Sequence, residues 1–286
     1  MKCEGISYSI DYDLKNIACS RFDTSRHYTN VISPFSRIYL ITEGKGSIMI
    51  HDEKIILEPN NLYLIPSFTP CSYTFDKELE HYYIHFSTML PNGLNVYSLY
   101  ETIRKVACKK IDHLLFKQLL AINPDKELPH HHPGIYQTKS WMNKANSYHN
   151  VADYIETKGI LEQLFSRFIV REVKANLNEM IRYQIPYILE YIQSHLNEQI
   201  SINTLAEKAC LSRDHFARVF KSILSVSPCE FIIKKRIEKA QFLLLTTDLP
   251  IKRIIEDSGF RSLTYFSRIF KKYTSLTPLE YRRRWG

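Results

Sequence analysis

No run of the sequence approaches the ~20 uninterrupted apolar residues that a membrane-spanning helix needs. The opening, MKCEGISYSIDYDLKN, carries charges where a signal peptide would have its apolar segment. Both absences point to a cytoplasmic protein with no membrane partner. Cys3, Cys19, Cys71, Cys108, Cys210 and Cys229 form no C-x-x-C pair and have no nearby His at zinc spacing. That argues against a metal knuckle and a dense disulfide framework, and leaves reduced thiols acting as small apolar side chains. The consecutive His130, His131 and His132, followed by Pro133 and Gly134, read as a solvated loop rather than a metal site. No metal and no other cofactor is expected.

What is present is enough for two domains: 286 residues, 44% of them hydrophobic, can build two packed cores. Charge divides unevenly between them. Residues 1–181 hold 20 Lys+Arg and 20 Asp+Glu, whereas residues 182–286 hold 18 against 10, so the whole net charge of +8 lies in the last third. A basic surface confined to one region favours a phosphate-bearing partner.

That same region repeats itself. LSRDHFARVFKSILSVSPCEF, from Leu211, returns as RSLTYFSRIFKKYTSLTPLEY, from Arg261. A fifty-residue shift gives eight identities in the nineteen positions from Ser212 to Glu230: Ser, Phe, Arg, Phe, Lys, Ser, Pro and Glu. Upstream, IPYILEYIQSHL places Ile188, Tyr191, Ile192 and His195 at helical spacing. Ser201 can cap a short helix with Leu205, Ala206 and Ala209 inside, and Ser212 can cap the next, which is a helix-turn-helix. In the second copy Pro250 starts the first helix, Gly259 makes the turn and Ser262 caps LTYFSRIFKKYT. Phe216, Val219 and Phe220, and Phe266, Ile269, Phe270 and Tyr273, form the inner stripes. The outer stripes hold Asp214, His215, Ala217, Arg218 and Lys221 in one copy and Thr264, Tyr265, Arg268, Lys271 and Lys272 in the other.

Arg218 and Arg268 are the sharpest candidates, because a guanidinium can bond the O6 and N7 of guanine, worth about 1–3 kcal/mol of discrimination. The alternative for each is capture of a phosphate or of a local carboxylate. Lys221, Lys271 and Lys272 suit phosphate contacts. Pro228–Pro250 joins the units through Ile233, Ile237, Ala240 and Leu244 at helical spacing. About 20 helical residues span roughly 30 Å, close to the ~34 Å of one DNA turn, so one chain could read two adjacent major-groove segments.

These residues resemble the DNA-binding domain of the AraC/XylS family of bacterial transcription regulators. The resemblance rests on RIEKAQFLL, the SGF turn at 258–260, YFSRIFKKYT and the closing TPLEYRRR, over about 100 residues. It implies double-stranded DNA as partner and, by family habit, activation through RNA polymerase. Ser225 and Ser275 stand where the family often has Gly, and Cys210 replaces a Gly common in the first turn. These departures can be accommodated at modest backbone cost if the Ser residues leave the left-handed region. Asp214 and Ala217 make the first reading face poorer in donors than the second.

From Phe35 to Ser87 the pattern changes to short apolar runs broken by turns: RIYLITE, SIMIH, IILEPNN, LYLIP, CSYTF and HYYIHFS. Six or more short strands suggest a small antiparallel barrel or sandwich. With EGKG, LEPNNLYLIP and YYIHF in order, it resembles the cupin-type sensor domain of the same family. The expected fold class is therefore α+β in two domains, a cupin-like barrel with packed helices (1–175) and an all-α double helix-turn-helix domain (182–286). Along HYYIHF, His81, Tyr83 and His85 point one way and Tyr82, Ile84 and Phe86 the other. By resemblance, Tyr73, His81 and Tyr83 match the ligand contacts of sugar-binding members, and Arg37 and Tyr39, on the first strand read, could join them. Polar tips on aromatic bodies suit a carbohydrate or a small aromatic acid, while a barrel filled by its own side chains is the other outcome.

Enzymatic cupins carry closely spaced His residues with a Glu on one strand. Nothing of that kind follows Gly44 or Gly46, so no enzyme is expected. Apolar residues at helical spacing from Leu94 to Asn123 (Ile103, Val106, Leu114, Leu115, Leu119) and from Ala152 to Ile185 (Ile160, Leu161, Leu164, Phe165, Phe168, Ile169) read as helices on the barrel. Family members often form homodimers through helices so placed, which makes Leu161, Leu164, Phe165 and Phe168 a candidate interface. The stretch from Pro129 to Asn150 reads as a loop.

Overall fold

The computed structural model describes residues 10–50, 52–89, 96–98, 100–133, 147–170, 179–224 and 226–285. The chain divides into two compact units. One comprises Tyr12–Thr88 and Glu101–Val170, the other Met1–Asp11, Met89–Tyr100 and Arg171–Gly286.

Among the described residues the first unit has nine strands: β1 (Asp11–Arg21), β2 (Arg26–Val31), β3 (Ser36–Glu43), β4 (Gly46–Ile50), β5 (Glu53–Leu57), β6 (Asn61–Ile65), β7 (Cys71–Phe75), β8 (Glu80–Met89) and β9 (Lys105–Ala107). They form a five-stranded sheet, β1-β8-β3-β6-β9, and a four-stranded sheet, β2-β7-β4-β5. Every pairing between β2 and β7, β3 and its two neighbours, β4 and its two neighbours, and β6 and β9 is antiparallel. The inner faces meet through aromatic rings, for example Tyr39 of β3 at 6.2 Å from both Tyr73 and Phe75 of β7. Alternation along β7, with Cys71, Tyr73 and Phe75 buried, is what a strand with one face on the core requires.

Three sequence expectations change here. Strands β1 and β2 precede the one read first; in β1 the charges of Asp11, Asp13, Lys15 and Arg21 share one face, but the consecutively buried Asn16, Ile17 and Ala18 break the alternation. The helix expected from Leu94 begins only at Lys110: α1 spans Lys110–Ile122, and Val106 instead lies in β9, paired with Leu62. A β-strand partner on β6 overrides the helical spacing of the apolar residues. The second apolar run is likewise interrupted. Helix α2 spans Val151–Ser166 and stops there, and Ile169 forms a β-bridge to Thr102.

In the second unit the described helices are α3 (Glu179–Ser194), α4 (Ile202–Lys208), α5 (Arg213–Leu224), α6 (Pro228–Thr246), α7 (Ile251–Asp257), α8 (Leu263–Thr274) and α9 (Pro278–Trp285). α3 supplies Ile185, Ile188, Leu189 and Ile192 to a core completed by Leu205, Ala206, Phe216, Phe220 and Phe231. α6 is buried along most of its circumference, through Phe231, Ile232, Lys235, Ile237, Ala240, Gln241, Leu244 and Leu245. The buried Lys235 is paired with Glu238 at 2.7 Å and lies over the Phe231 ring. Among the described residues no helix is long and apolar enough to cross a membrane.

Candidate nucleic-acid interface and barrel cavity

Helices α5 and α8 are each twelve residues long and begin fifty residues apart. Their inner aromatics repeat the same packing: the Phe216–Phe220 centroids are 5.5 Å apart and the Phe266–Phe270 centroids 5.4 Å. Each last Phe then meets the following helix edge-on, Phe220 on Phe231 at 5.5 Å and Phe270 on Tyr281 at 5.3 Å. Matching capping interactions start those following helices. Ser227 with Glu230 opens α6 and Thr277 with Glu280 opens α9. α9 is thus the second copy of the beginning of α6.

On the outer stripes Ser212, Asp214, His215, Arg218 and Lys221, and Ser262, Thr264, Tyr265, Arg268, Lys271 and Lys272, are exposed; Ala217 is half-buried. Ser262 caps α8 by accepting the Tyr265 N–H at 3.2 Å, and Phe216 N–H donates to the Ser212 carbonyl at 2.8 Å. The Arg268 guanidinium lies 5.6 Å from the Tyr265 ring centroid, whereas Arg218 Nε donates to the Asp214 carbonyl at 3.4 Å.

The copies differ in their turns. α4 and α7, seven residues each, begin 49 residues apart, so the second turn is one residue longer. Cys210 aligns with Gly259: both are left-handed, at φ 52° and 82°, and both close the same pair of hydrogen bonds. Cys210 and Leu211 donate to Glu207 and Ala206 at 2.9 Å; Gly259 and Phe260 donate to Glu256 and Ile255 at 2.9 and 3.0 Å. The extra residue is Arg261, exposed just before the cap of α8. A fixed fifty-residue register conceals this insertion. Ser275 also stays left-handed, at φ 61°, and so keeps the backbone cost that leaving that region would spare; its N–H closes α8 onto the Lys271 carbonyl at 2.8 Å. Ser225 lies outside the described residues.

In the other unit β3, β7 and β8 gather the expected pocket residues. Tyr39, Tyr73, His81 and Tyr83 line a cavity of about 40 Å³ together with Phe22, Tyr28, Phe75, His85, Leu128, His131 and Pro133. The register that places Arg37 opposite His85 and Tyr39 opposite Tyr83 explains the clustering. Arg37 is buried but does not line the cavity. Its Nη1 donates to the Tyr73 hydroxyl, and its guanidinium lies 5.4 Å from the Phe35 ring centroid. Burial, reinforced by the charge of nearby His131, lowers the His81 pKa to about 3, and burial with the Arg37 charge holds His85 well below the usual imidazole range. Both rings are therefore neutral near pH 7. His81 Nδ1 is buried with no hydrogen-bond partner among the described residues. The segment read as a solvated His-rich loop is partly a cover: His131 stacks edge-on to Phe22 at 5.6 Å and Leu128 N–H donates to the Tyr83 hydroxyl at 3.0 Å. Among the described residues no group of three His, Cys, Asp or Glu is placed to hold a metal ion.

Leu161, Leu164, Phe165 and Phe168 are at most 1% exposed. Phe165 packs on Tyr12 and Phe86, so these four form the core of their own unit and offer no surface to a second chain. Exposed apolar residues on α1 and α2 include Ile111 and Leu114 of α1 and Val151 and Ile155 of α2.

An AraC-like ligand binding domain matches residues 17–91, and a helix-turn-helix domain matches residues 205–284. The chain belongs to the AraC-type family of DNA-binding transcription regulators, with a ligand-binding domain ahead of a helix-turn-helix domain. It is 22% identical over 247 residues to the Msm operon regulatory protein of Streptococcus mutans, covering 86% of this chain and 83% of that one. It is 32% identical over 124 residues to the arabinose operon regulatory protein of Escherichia coli, spanning 43% of this chain and 42% of that relative. ToxT from Vibrio cholerae shares the fold, with a TM-score of 0.53 at 15% identity over 97% of this chain and 99% of that one.

Proposed function

We propose that this chain reads two adjacent major-groove segments with α5 and α8 and adjusts that reading to a small polar effector held in the barrel. The observation that carries the DNA reading is the pair of exposed guanidiniums, Arg218 and Arg268, at equivalent places on equivalent helices. Lys221, Lys271, Lys272 and the inserted Arg261 add cations suited to phosphates. α6, 19 residues long, spans roughly 28 Å, close to the ~34 Å of one duplex turn. Gel shifts with the full chain at several salt concentrations test the reading. Binding should weaken steeply as salt rises, and no duplex binding at low salt would end it.

Neutral His81 and the hydroxyls of Tyr39, Tyr73 and Tyr83 suit an uncharged, hydroxyl-rich ligand such as a carbohydrate, and the arabinose operon name of one relative supports a sugar. A second reading, the barrel as a ligand-independent platform, is favoured by the cavity's size, since about 40 Å³ holds little more than water. Thermal-shift screening of sugars and small carboxylic acids separates the two: a specific ligand raises Tm by mass action, and no response to any of them favours the platform. The remaining steps of the proposal are homodimerisation through Ile111, Leu114, Val151 and Ile155, and activation through contact with RNA polymerase. Leu114→Glu should shift a dimer to monomer in light scattering.

A further inference from the structure

The helical unit contains a junction that neither reading helix makes. Arg236, in the middle of α6, reaches the chain just beyond α3: Nε donates to the Leu196 carbonyl at 2.9 Å and Nη2 to the Glu198 carbonyl at 2.5 Å. Carbonyls at the end of a helix lack partners within it and favour a cation. Leu196 belongs to the first repeat's core. The turn of the second repeat presses on the same place, since a Cβ on Gly259 would overlap the Leu196 carbonyl and crowd Arg236 Nε. Three parts therefore meet at one guanidinium: the end of α3, the linker helix and the second turn. Cys210, the equivalent of Gly259, is left-handed yet exposed and keeps its side chain. Backbone conformation alone thus does not demand glycine; the packing against Leu196 does. α6 meets both repeats mainly through apolar side chains, and such contacts resist separation better than they resist sliding or rolling. A planar fork fixed on two carbonyls defines one rotation and one register.

We propose that Arg236 is a positioning residue that fixes the second reading helix relative to the first and so sets the spacing between the two DNA segments that the chain accepts. The proposal rests on the two-segment reading above. The test uses the full chain and duplexes that the unaltered protein selects from a randomised pool, compared with the same duplexes carrying one base pair inserted or deleted between the two protected segments. If the unaltered protein selects no duplex, the reading itself fails; if it does, the comparison with R236A decides the clamp. The unaltered chain should lose at least about tenfold in affinity on the one-base-pair change. R236A should bind the selected duplex about tenfold more weakly and distinguish the spacings less than about threefold, with an unchanged dependence of log Kd on log salt. Retention of the original spacing preference overturns the proposal. So does a salt slope smaller by about one charge, which would make Arg236 a phosphate contact. If circular dichroism shows R236A unfolded, or if it binds too weakly to compare, Arg236→Lys keeps the cation and stem without the fork and is judged by the same criteria.

Discussion

The two helix-turn-helix repeats share a core almost ring for ring, yet they are held in different ways. In the first, the turn at Cys210 is open to solvent and tolerates a side chain in the left-handed region. In the second, the turn at Gly259 is pressed against the Leu196 carbonyl, and one additional residue, Arg261, precedes the reading helix. The repeats share what each helix needs to fold. The turns differ in what packs on them, and the reading faces in what they present. Asp214, His215 and Ala217 face outward in one copy where Thr264, Tyr265 and Ser267 stand in the other, so the two copies suit two different half-sequences and an asymmetric site.

The largest effect expected from breaking this comparison is at the turns. Gly259→Ala forces a Cβ into the Leu196 carbonyl at a positive φ and should cost about 3 kcal/mol or more of stability, whereas Cys210→Gly should change stability by less than about 1 kcal/mol. Thermal melts of both variants measure the difference, and equal effects would remove the distinction between the turns. Next, R268A should weaken binding to a selected duplex by about 1–3 kcal/mol, with far less loss on random DNA. R218A should lose less, because its side chain turns back to the Asp214 carbonyl. Equal losses on both kinds of DNA, read by gel shift, would make Arg268 a phosphate contact. Arg261→Ala should weaken all duplexes alike and reduce the salt slope by about one charge, a change with no counterpart in the first repeat. The smallest expected effect is at the end of α8, where Ser275→Gly should stabilise by about 0.5–1 kcal/mol by relieving a left-handed serine. A urea titration resolves that difference, and destabilisation would show that the serine hydroxyl compensates the strain.

Much of this was legible in the sequence, for identifiable reasons. Aromatics four apart with Arg and Lys opposite define a reading helix locally, because i and i+4 share a face. Alternation along HYYIHF likewise sorts His81, Tyr83 and His85 from Tyr82, Ile84 and Phe86: the first three line the cavity, while Tyr82 meets Phe116 and Phe86 meets Phe165. What escaped depended on partners distant in the chain. Val106 has helical spacing but pairs with Leu62, and the buried run Asn16, Ile17, Ala18 interrupts the alternation of β1. Leu161 and Phe168 look alike whether they meet their own barrel or another chain. His131 looked solvated because nothing in HHHPG announces Phe22. Arg236 lies in a stretch recognisable as a linker helix, but its two acceptors are backbone oxygens forty and thirty-eight residues away, which no side-chain pattern encodes.

α6 carries a consequence for how this unit can come apart. Its apolar residues serve the first repeat at one end and the second at the other, and little of its circumference remains for water. Cutting the chain between the repeats would strip one set bare whichever side kept the helix. Neither repeat, α9 included, should fold alone once the chain is cut at α6. Denaturant should dissolve both readers in a single cooperative step, because neither keeps a covered core without α6.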